Sequence, residues 1–296
     1  MEPEISISSE DFKNKADTGL IMSSTRWLID HYKAKEKYRH QMVEDLDLKP
    51  GDIVLDVGSG PGLWSNRLAE KVAPNGRVIG IDYSIDALSY AQKNLENYPY
   101  KDIIEYSQAD FFNIPYPDET FDFVFCSNSL MYFPDSMKEK LLKEQKRIVK
   151  KGGRIASKEY DGETIILYPI PPELWLKLKN AVAQVLSERP LEEYYDEYVA
   201  RKVRKSFLDA GLKDVVTIPY PIQMFSPLSS HQKNYITEES QWFIKTAFPY
   251  LSKSEVSQLE SFFDSNSSQY ILDREDFSYL VVEFMSIGTK TSSSSV

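Results

Sequence analysis

Val54-Leu55-Asp56-Val57-Gly58-Ser59-Gly60-Pro61-Gly62 is an apolar run that ends in an acid and valine, then breaks into a loop with glycine at every second position. The helix-forming segment LWSNRLAEKV, residues 63–72, follows at once. Glycine enters positive φ without steric cost and lets the backbone approach a ligand with no Cβ in between. A helix start adds partial positive charge and N–H donors that lack intrahelical partners. Strand, loop and helix together predict a cradle for a polar, partly anionic small molecule, its loop N–H groups turned to the ligand. The bland alternative is a tight strand-to-helix turn that holds nothing.

The spacing narrows the ligand. The dinucleotide fingerprint G-x-G-x-x-G needs a further glycine where Leu63 stands. A second apolar run, GRVIGIDYS (76–84), ends in Asp82, twenty residues after Gly62. An acid at the end of the second strand of a doubly wound sheet accepts hydrogens from ribose hydroxyls. Tyr83 beside it offers an aromatic face to a base, so this pair indicates a nucleoside without choosing between cofactors. Further on, IIEYSQADFFNIPYPDETFDFVFCSNSLMYF (103–133) carries Ala109-Asp110-Phe111, a short acidic, proline-containing loop and the strand FDFVFCSN. The helical segment MKEKLLKEQKRIVK and the turn KKGGRI (150–155) come next.

Glycines at alternate positions, with Asp56 two places before the first, resemble motif I of the class I S-adenosylmethionine (SAM)-dependent methyltransferases, and residues 103–133 resemble their later motifs. The resemblance covers about residues 50–160 well and the carboxyl-terminal half loosely. It implies an α/β fold: a Rossmann-like, doubly wound, seven-stranded sheet with an antiparallel last strand. It also implies SAM as cofactor and S-adenosylhomocysteine as product. On the matching positions, Asp56, Gly58, Ser59 and Gly60 would shape the methionine end of the pocket. Asp82 and Tyr83 would hold ribose and adenine. Ala109, Asp110 and Phe111 would take the adenine edge, the Asp110 carboxylate bonding its amino group and the next N–H a ring nitrogen. Ser127 would form the floor near the methyl group.

Missing residues argue against several branches. After the fourth strand stands Ser127-Asn128-Ser129-Leu130, where base-directed amino-methylases carry a polar residue, Pro-Pro and an aromatic. Neither the acidic cluster of metal-dependent catechol-type enzymes nor the two-glutamate loop of protein arginine methyltransferases is found there. The remaining resemblance is to small-molecule methyltransferases, including the ubiquinone/menaquinone-pathway and sterol-type group.

Composition agrees. The chain has 296 residues, 42% of them hydrophobic, and a net charge of −10. That is enough for a substantial domain with additions, and the charge disfavours nucleic acid as partner. The single Cys126 excludes an intramolecular disulfide and a cysteine-rich zinc site, and sits among aromatics as a buried thiol. The three histidines, His31, His40 and His231, lack metal-ligand spacing, so no metal is expected. No run approaches a membrane span and the amino terminus lacks the apolar core of a signal peptide, which makes the cytoplasm the expected compartment.

Along the chain, residues 1–49 are expected to form a helical lid whose first ten residues are loose, closed off by Lys49-Pro50-Gly51. Residues 50–160 form the SAM-binding core, with helices expected at 63–73, 84–97 and 136–150. Residues 161–224 add a cap helix near 173–188, then a core helix at 198–212 and a core strand. Residues 225–270 form a helical insertion of the cap, 271–290 the last core strand, and 291–296 a disordered tail. Cap aromatics such as Tyr168, Trp175, Tyr194, Tyr195, Phe225, Trp242 and Phe243 serve either the core or a substrate chamber.

Methyl transfer from a sulfonium is an in-line displacement that needs alignment and water exclusion, not a protein nucleophile. An oxygen or nitrogen acceptor also needs a base. Tyr132, His31 and His40 are the residues put forward for catalysis, with His231, Glu159 and Asp161 behind them. The expected function is SAM-dependent methylation of a small organic, partly aromatic or apolar metabolite of a specialised biosynthesis. The rivals are a nicotinamide-dependent oxidoreductase and a non-catalytic SAM-binding regulatory subunit.

Overall fold

The computed structural model describes residues 24–190 and 193–291. The expectations for the first ten residues, for the start of the lid and for nearly all of the Ser-rich tail lie outside them. The chain enters through two short helices, α1 (Thr25–Ala34) and α2 (Glu36–Glu44). Alternating strands and helices follow: β1 (Ile53–Val57), α3 (Leu63–Val72), β2 (Arg77–Asp82), α4 (Ile85–Leu95), β3 (Ile104–Gln108), β4 (Phe121–Ser127), α5 (Asp135–Ile148) and β5 (Val149–Tyr160). These five strands are parallel, in the order β3-β2-β1-β4-β5. Strands buried on both faces read as near-continuous apolar runs. Accordingly Phe121, Phe123, Val124, Phe125 and Cys126 of β4 are all buried.

Next come a short β6 (Ile166–Tyr168), α6 (Pro172–Glu188), α7 (Ala200–Asp209), β7 (Lys213–Phe225), α8 (Ser230–Ala247), α9 (Lys253–Phe263) and β8 (Ser278–Thr289). β8 lies antiparallel between β5 and β7, so the last strand in sequence enters the interior of the sheet. Within β7, Pro219 and Pro221 stand in the sheet, which an edge strand tolerates because one side needs no donors. The sheet thus has the expected doubly wound order and antiparallel last strand.

Several details differ from expectation. β6 is an eighth, three-residue strand paired with the start of β8, too short to leave an alternating pattern. The helix expected to reach residue 150 stops at Ile148, because Val149 already pairs with Phe121. The helix expected over 198–212 spans Ala200–Asp209. Elsewhere local chemistry works as expected: Ser84 caps α4 by accepting from the Ala87 N–H at 3.2 Å.

The entering helices are bound to the far end of the chain. Trp27 and His31 stack at 4.7 Å between ring centroids and both pack against Tyr235 of α8. Lys35 and Arg39 reach Glu283 of β8, and Lys158 of β5 meets the same carboxylate at 2.7 Å. All four side chains are at most 1% exposed, so three basic side chains share one buried carboxylate.

Candidate active site

The carboxyl ends of β1, β2, β3 and β4 bring the four sequence stations to one edge of the sheet, where an open α/β sheet binds ligands. Gly58, Gly60 and Gly62 all have positive φ. At Gly58 an added Cβ would come within 2.2 Å of Ser129 Oγ, and at Gly62 within 2.2 Å of Tyr106 Oη, so these positions need both the conformation and the space. Leu28 of α1 lies across the loop, 3.6 Å from where a Gly60 Cβ would stand.

The loop differs from its sequence reading in one respect. The N–H groups of Gly58 and Ser59 both donate to Ile81 O, that of Gly60 to Asp82 Oδ2 at 2.8 Å, and that of Gly62 to Ser59 O. They brace the loop against β2 rather than turning to a ligand. Polar capacity is found instead on side chains. Asp56 Oδ1 and Ser59 Oγ are buried and make no hydrogen bond within the chain, while Asp56 Oδ2 accepts from Ser65 Oγ at 2.7 Å. Burial pushes the Asp56 carboxyl up to about 7. Orphaned buried polar atoms are rare in native folds, so this end of the loop fits a polar ligand group such as an ammonium or carboxylate.

Asp82 closes the second station. Its Oδ1 accepts from the Ser84 N–H and its Oδ2 from Gly60 N–H, both at 2.8 Å. Each carboxylate oxygen has further acceptor capacity, which suits a pair of ribose hydroxyls. Burial raises its pKa and the backbone donors oppose the rise.

At the third station Tyr83 does not lie open as an aromatic face. Its hydroxyl donates to Asp110 Oδ1 at 2.6 Å and accepts from the Phe111 N–H at 3.1 Å, and its ring packs on Phe111 at 4.3 Å. The phenol therefore engages the very acceptor and donor that the resemblance reserves for an adenine edge. Ala109 is buried beside them, its N–H on Asp82 O at 3.3 Å.

Ser127 ends β4, and Asn128 follows with positive φ. The Asn128 N–H donates to Lys158 O at 2.8 Å, and Lys158 Nζ donates back to Asn128 Oδ1 at 2.9 Å. Lys158, itself paired to Glu283, thus fixes the turn after β4. Glu159 supports the next residues: its Oε1 accepts from the Leu130 N–H at 3.1 Å, and burial raises its carboxyl.

Of the residues put forward for catalysis, Tyr132 lies in the turn after β4, half-buried, with its ring 5.7 Å from Tyr195. His31 sits in the Glu283 cluster, its Nε2 3.7 Å from Glu283 Oε1, and burial with the neighbouring Lys35 charge holds its imidazole well below the usual range. It is neutral and packed. His40 is exposed on α2, and His231 pairs with Asp30. Cys126 is buried and its thiol is pushed up by burial, an inert group.

A second polar group, of which only Tyr195 is singled out in the sequence, lies behind a row of aromatic rings. Tyr195 rests between Tyr132 and Trp242, and Trp242 adjoins Phe243, which meets Trp175 of α6. Behind this aromatic row, Tyr160 Oη donates to Glu197 Oε2 at 2.6 Å and lies 3.0 Å from Tyr195 Oη. Glu197 Oε1 is buried without a hydrogen bond, 3.5 Å from Lys179 Nζ. Among the described residues no group of three or more His, Cys, Asp or Glu is placed to hold a metal ion, and no helix is long and apolar enough to cross a membrane.

The sheet order is that of the Rossmann-like methyltransferase fold, and the sequence relatives make the chain a SAM-dependent methyltransferase. Residues 48–203 match the family described as "Methyltransferase domain", and the chain belongs to it, as a member of the small-molecule type related to demethylmenaquinone methyltransferases. The demethylmenaquinone methyltransferase of Bacillus cereus is 33% identical over 216 residues, covering 71% of this chain and 88% of the relative. That of Alkalihalophilus pseudofirmus is 30% identical over 200 residues, covering 64% and 82%. An uncharacterized 37.1 kDa protein in transposon Tn4556 of Streptomyces fradiae is 29% identical over 187 residues, 63% of this chain, which there spans only half of the relative's length. Among solved structures, YcgJ of Bacillus subtilis superimposes with a TM-score of 0.55 at 17% identity, over 87% of this chain and 99% of its own. That likeness is one of fold alone.

Proposed function

We propose that the chain methylates a small, partly aromatic acceptor held between the carboxyl ends of β4 and β5 and the cap. The observation that carries this reading is the aromatic row Tyr132–Tyr195–Trp242, which runs from the turn after β4 into α8. Its rings suit a flat apolar ligand, by stacking or edge contact.

In this reading Asp56 and Ser59 bind the methionine end of SAM and Asp82 the ribose. The Asp110–Phe111 edge takes the adenine once Tyr83 has moved. SAM supplies an electrophilic methyl group already attached to its leaving group. The chain's own contribution is positional: Asn128, locked by Lys158, holds the turn beside the methyl, while Leu28 and the cap exclude water. The described part of the lid, residues 24–49, and the insertion 225–270 work as one cover, joined through Trp27, His31 and Tyr235. Relatives named for demethylmenaquinone make a reduced naphthoquinone the first acceptor to offer.

The test is calorimetric titration with SAM, S-adenosylhomocysteine and NADH, followed by transfer of labelled methyl into a panel of aromatic acceptors. Micromolar binding of the two sulfur compounds and label in an aromatic product are expected. Binding without transfer to any acceptor would favour the regulatory reading, and binding of NADH alone would refute the cofactor assignment.

A further inference from the structure

We propose that Tyr195, Tyr160 and Glu197 form a proton relay that takes the hydroxyl proton of a phenolic methyl acceptor, with Glu197 as its final resting place. The inference rests on the methyltransferase reading and adds to it the acceptor class and the proton's destination.

The direction of the relay follows from counting hydrogens. Tyr160 has one hydroxyl hydrogen and gives it to Glu197 Oε2 at 2.6 Å. The 3.0 Å contact between the Tyr160 and Tyr195 hydroxyls must therefore be donated by Tyr195. That leaves the Tyr195 oxygen as an acceptor at the head of the chain. Its ring is the one flanked by Tyr132 and Trp242, and the Asp196 N–H ties this segment to Met131 O at 2.8 Å, in the turn after β4. A ligand lying on the aromatic row and presenting an O–H to Tyr195 completes the line.

The step balances. As the O–CH3 bond forms and the sulfonium S–CH3 bond breaks, the acceptor's proton moves to the Tyr195 oxygen. The Tyr195 proton moves to Tyr160, and the Tyr160 proton to Glu197 Oε2. One positive charge, on the sulfonium, and one negative, on Glu197, vanish together. Phenols fit this head group because the first two transfers are then between groups of one kind, phenol to tyrosine and tyrosine to tyrosine.

The surroundings prepare Glu197 for the task. It is fully buried, and Lys179 of α6 faces its Oε1 while Glu239 of α8 acts on it from the cap. Tyr198, on its own segment, and Asp161, after β5, complete the ionisable groups around it and Lys179. Lys179 favours the carboxylate. Burial, the largest influence, and Glu239 favour the acid, and together they bring Glu197 to about 7. A group so placed accepts a proton at neutral pH and returns it to solvent between turnovers.

The experiment compares wild type with E197Q, Y160F and Y195F, using SAM with 1,4-naphthalenediol and 2-naphthol as acceptors and calorimetry with S-adenosylhomocysteine as the control. E197Q keeps the shape and the bond from Tyr160 but cannot hold the proton. Expected are unchanged S-adenosylhomocysteine binding, KM within about threefold, and a kcat loss of about 10²–10⁴-fold for E197Q. The acid limb of the wild-type pH profile should disappear, and the E197Q rate should rise with pH as the naphthol ionises by itself. A merely structural Glu197 would move neither feature. Wild-type kcat and pH profile in E197Q would overturn the relay, and so would S-adenosylhomocysteine binding with no methylation of either naphthol. Failure of S-adenosylhomocysteine to bind the wild type would instead strike the methyltransferase reading beneath it.

Discussion

Asp82 and Tyr83 are neighbours in sequence, and their proposed relations to the cofactor are opposite. Asp82 is held by backbone donors in a shape that already suits ribose. Replacing it by alanine removes a charged acceptor worth roughly 1.5–3 kcal/mol, so S-adenosylhomocysteine binding should weaken about 10- to 150-fold in calorimetry. An unchanged affinity in the folded variant would refute its role. Tyr83, by contrast, satisfies Asp110 and the Phe111 N–H itself. On the proposed adenine placement the base displaces it, so Tyr83→Phe should bind S-adenosylhomocysteine more tightly, by about 1 kcal/mol or fivefold. Weaker binding would mean the phenol stays and contacts the ligand. The acid, the glycines and Asp110 were legible in the sequence because strand-loop-helix chemistry is local. The side-chain direction of Tyr83 was not, since it depends on a partner brought alongside by the pairing of β2 with β3.

Helices α1 and α2 are joined to the far end of the chain by Glu283 of β8 as well as by the packing of Trp27 and His31 on Tyr235. Glu283 lies 248 residues from Lys35 and 244 from Arg39, a separation over which no motif or periodicity carries information. The only trace in the sequence is a glutamate inside the apolar run VVEFM, and a lysine inside SKEYD. Removing one partner of a buried ion group leaves the others uncompensated, at a cost of about 3–5 kcal/mol. Glu283→Gln should therefore lower the unfolding midpoint and, before that, speed hydrogen exchange in α1 and α2 relative to β1 and β4. Equal exchange in lid and sheet would show that packing of Trp27 and Tyr235 suffices to hold the helices.

Across the whole molecule, buried acids make stability depend on pH. Glu197 titrates near 7 in the folded chain, against an ordinary value of 4.5. Between those values the folded state binds the extra proton, so this contribution is complete below about 4.5 and is lost as pH rises through 7. Urea denaturation at pH 5 and pH 8 should show E197Q escaping roughly 2 kcal/mol of the decline seen in wild type. Parallel declines would place the titration elsewhere. The sheet order was readable because five parallel strands and their loops follow one another in the chain. The cap chemistry was not, because Tyr160, Lys179, Glu197 and Glu239 come from four separate segments and share only a location.

The carboxylate under the entering helices sets an order of events during synthesis. Lys35 and Arg39 emerge first from the ribosome, while Glu283, on the last strand, emerges among the final residues of the chain described. Until β8 slides between β5 and β7, those two cations have no buried anion to meet and stay hydrated. The charge-paired docking of α1 and α2 therefore waits for the completed sheet, and a chain truncated before β8 lacks it.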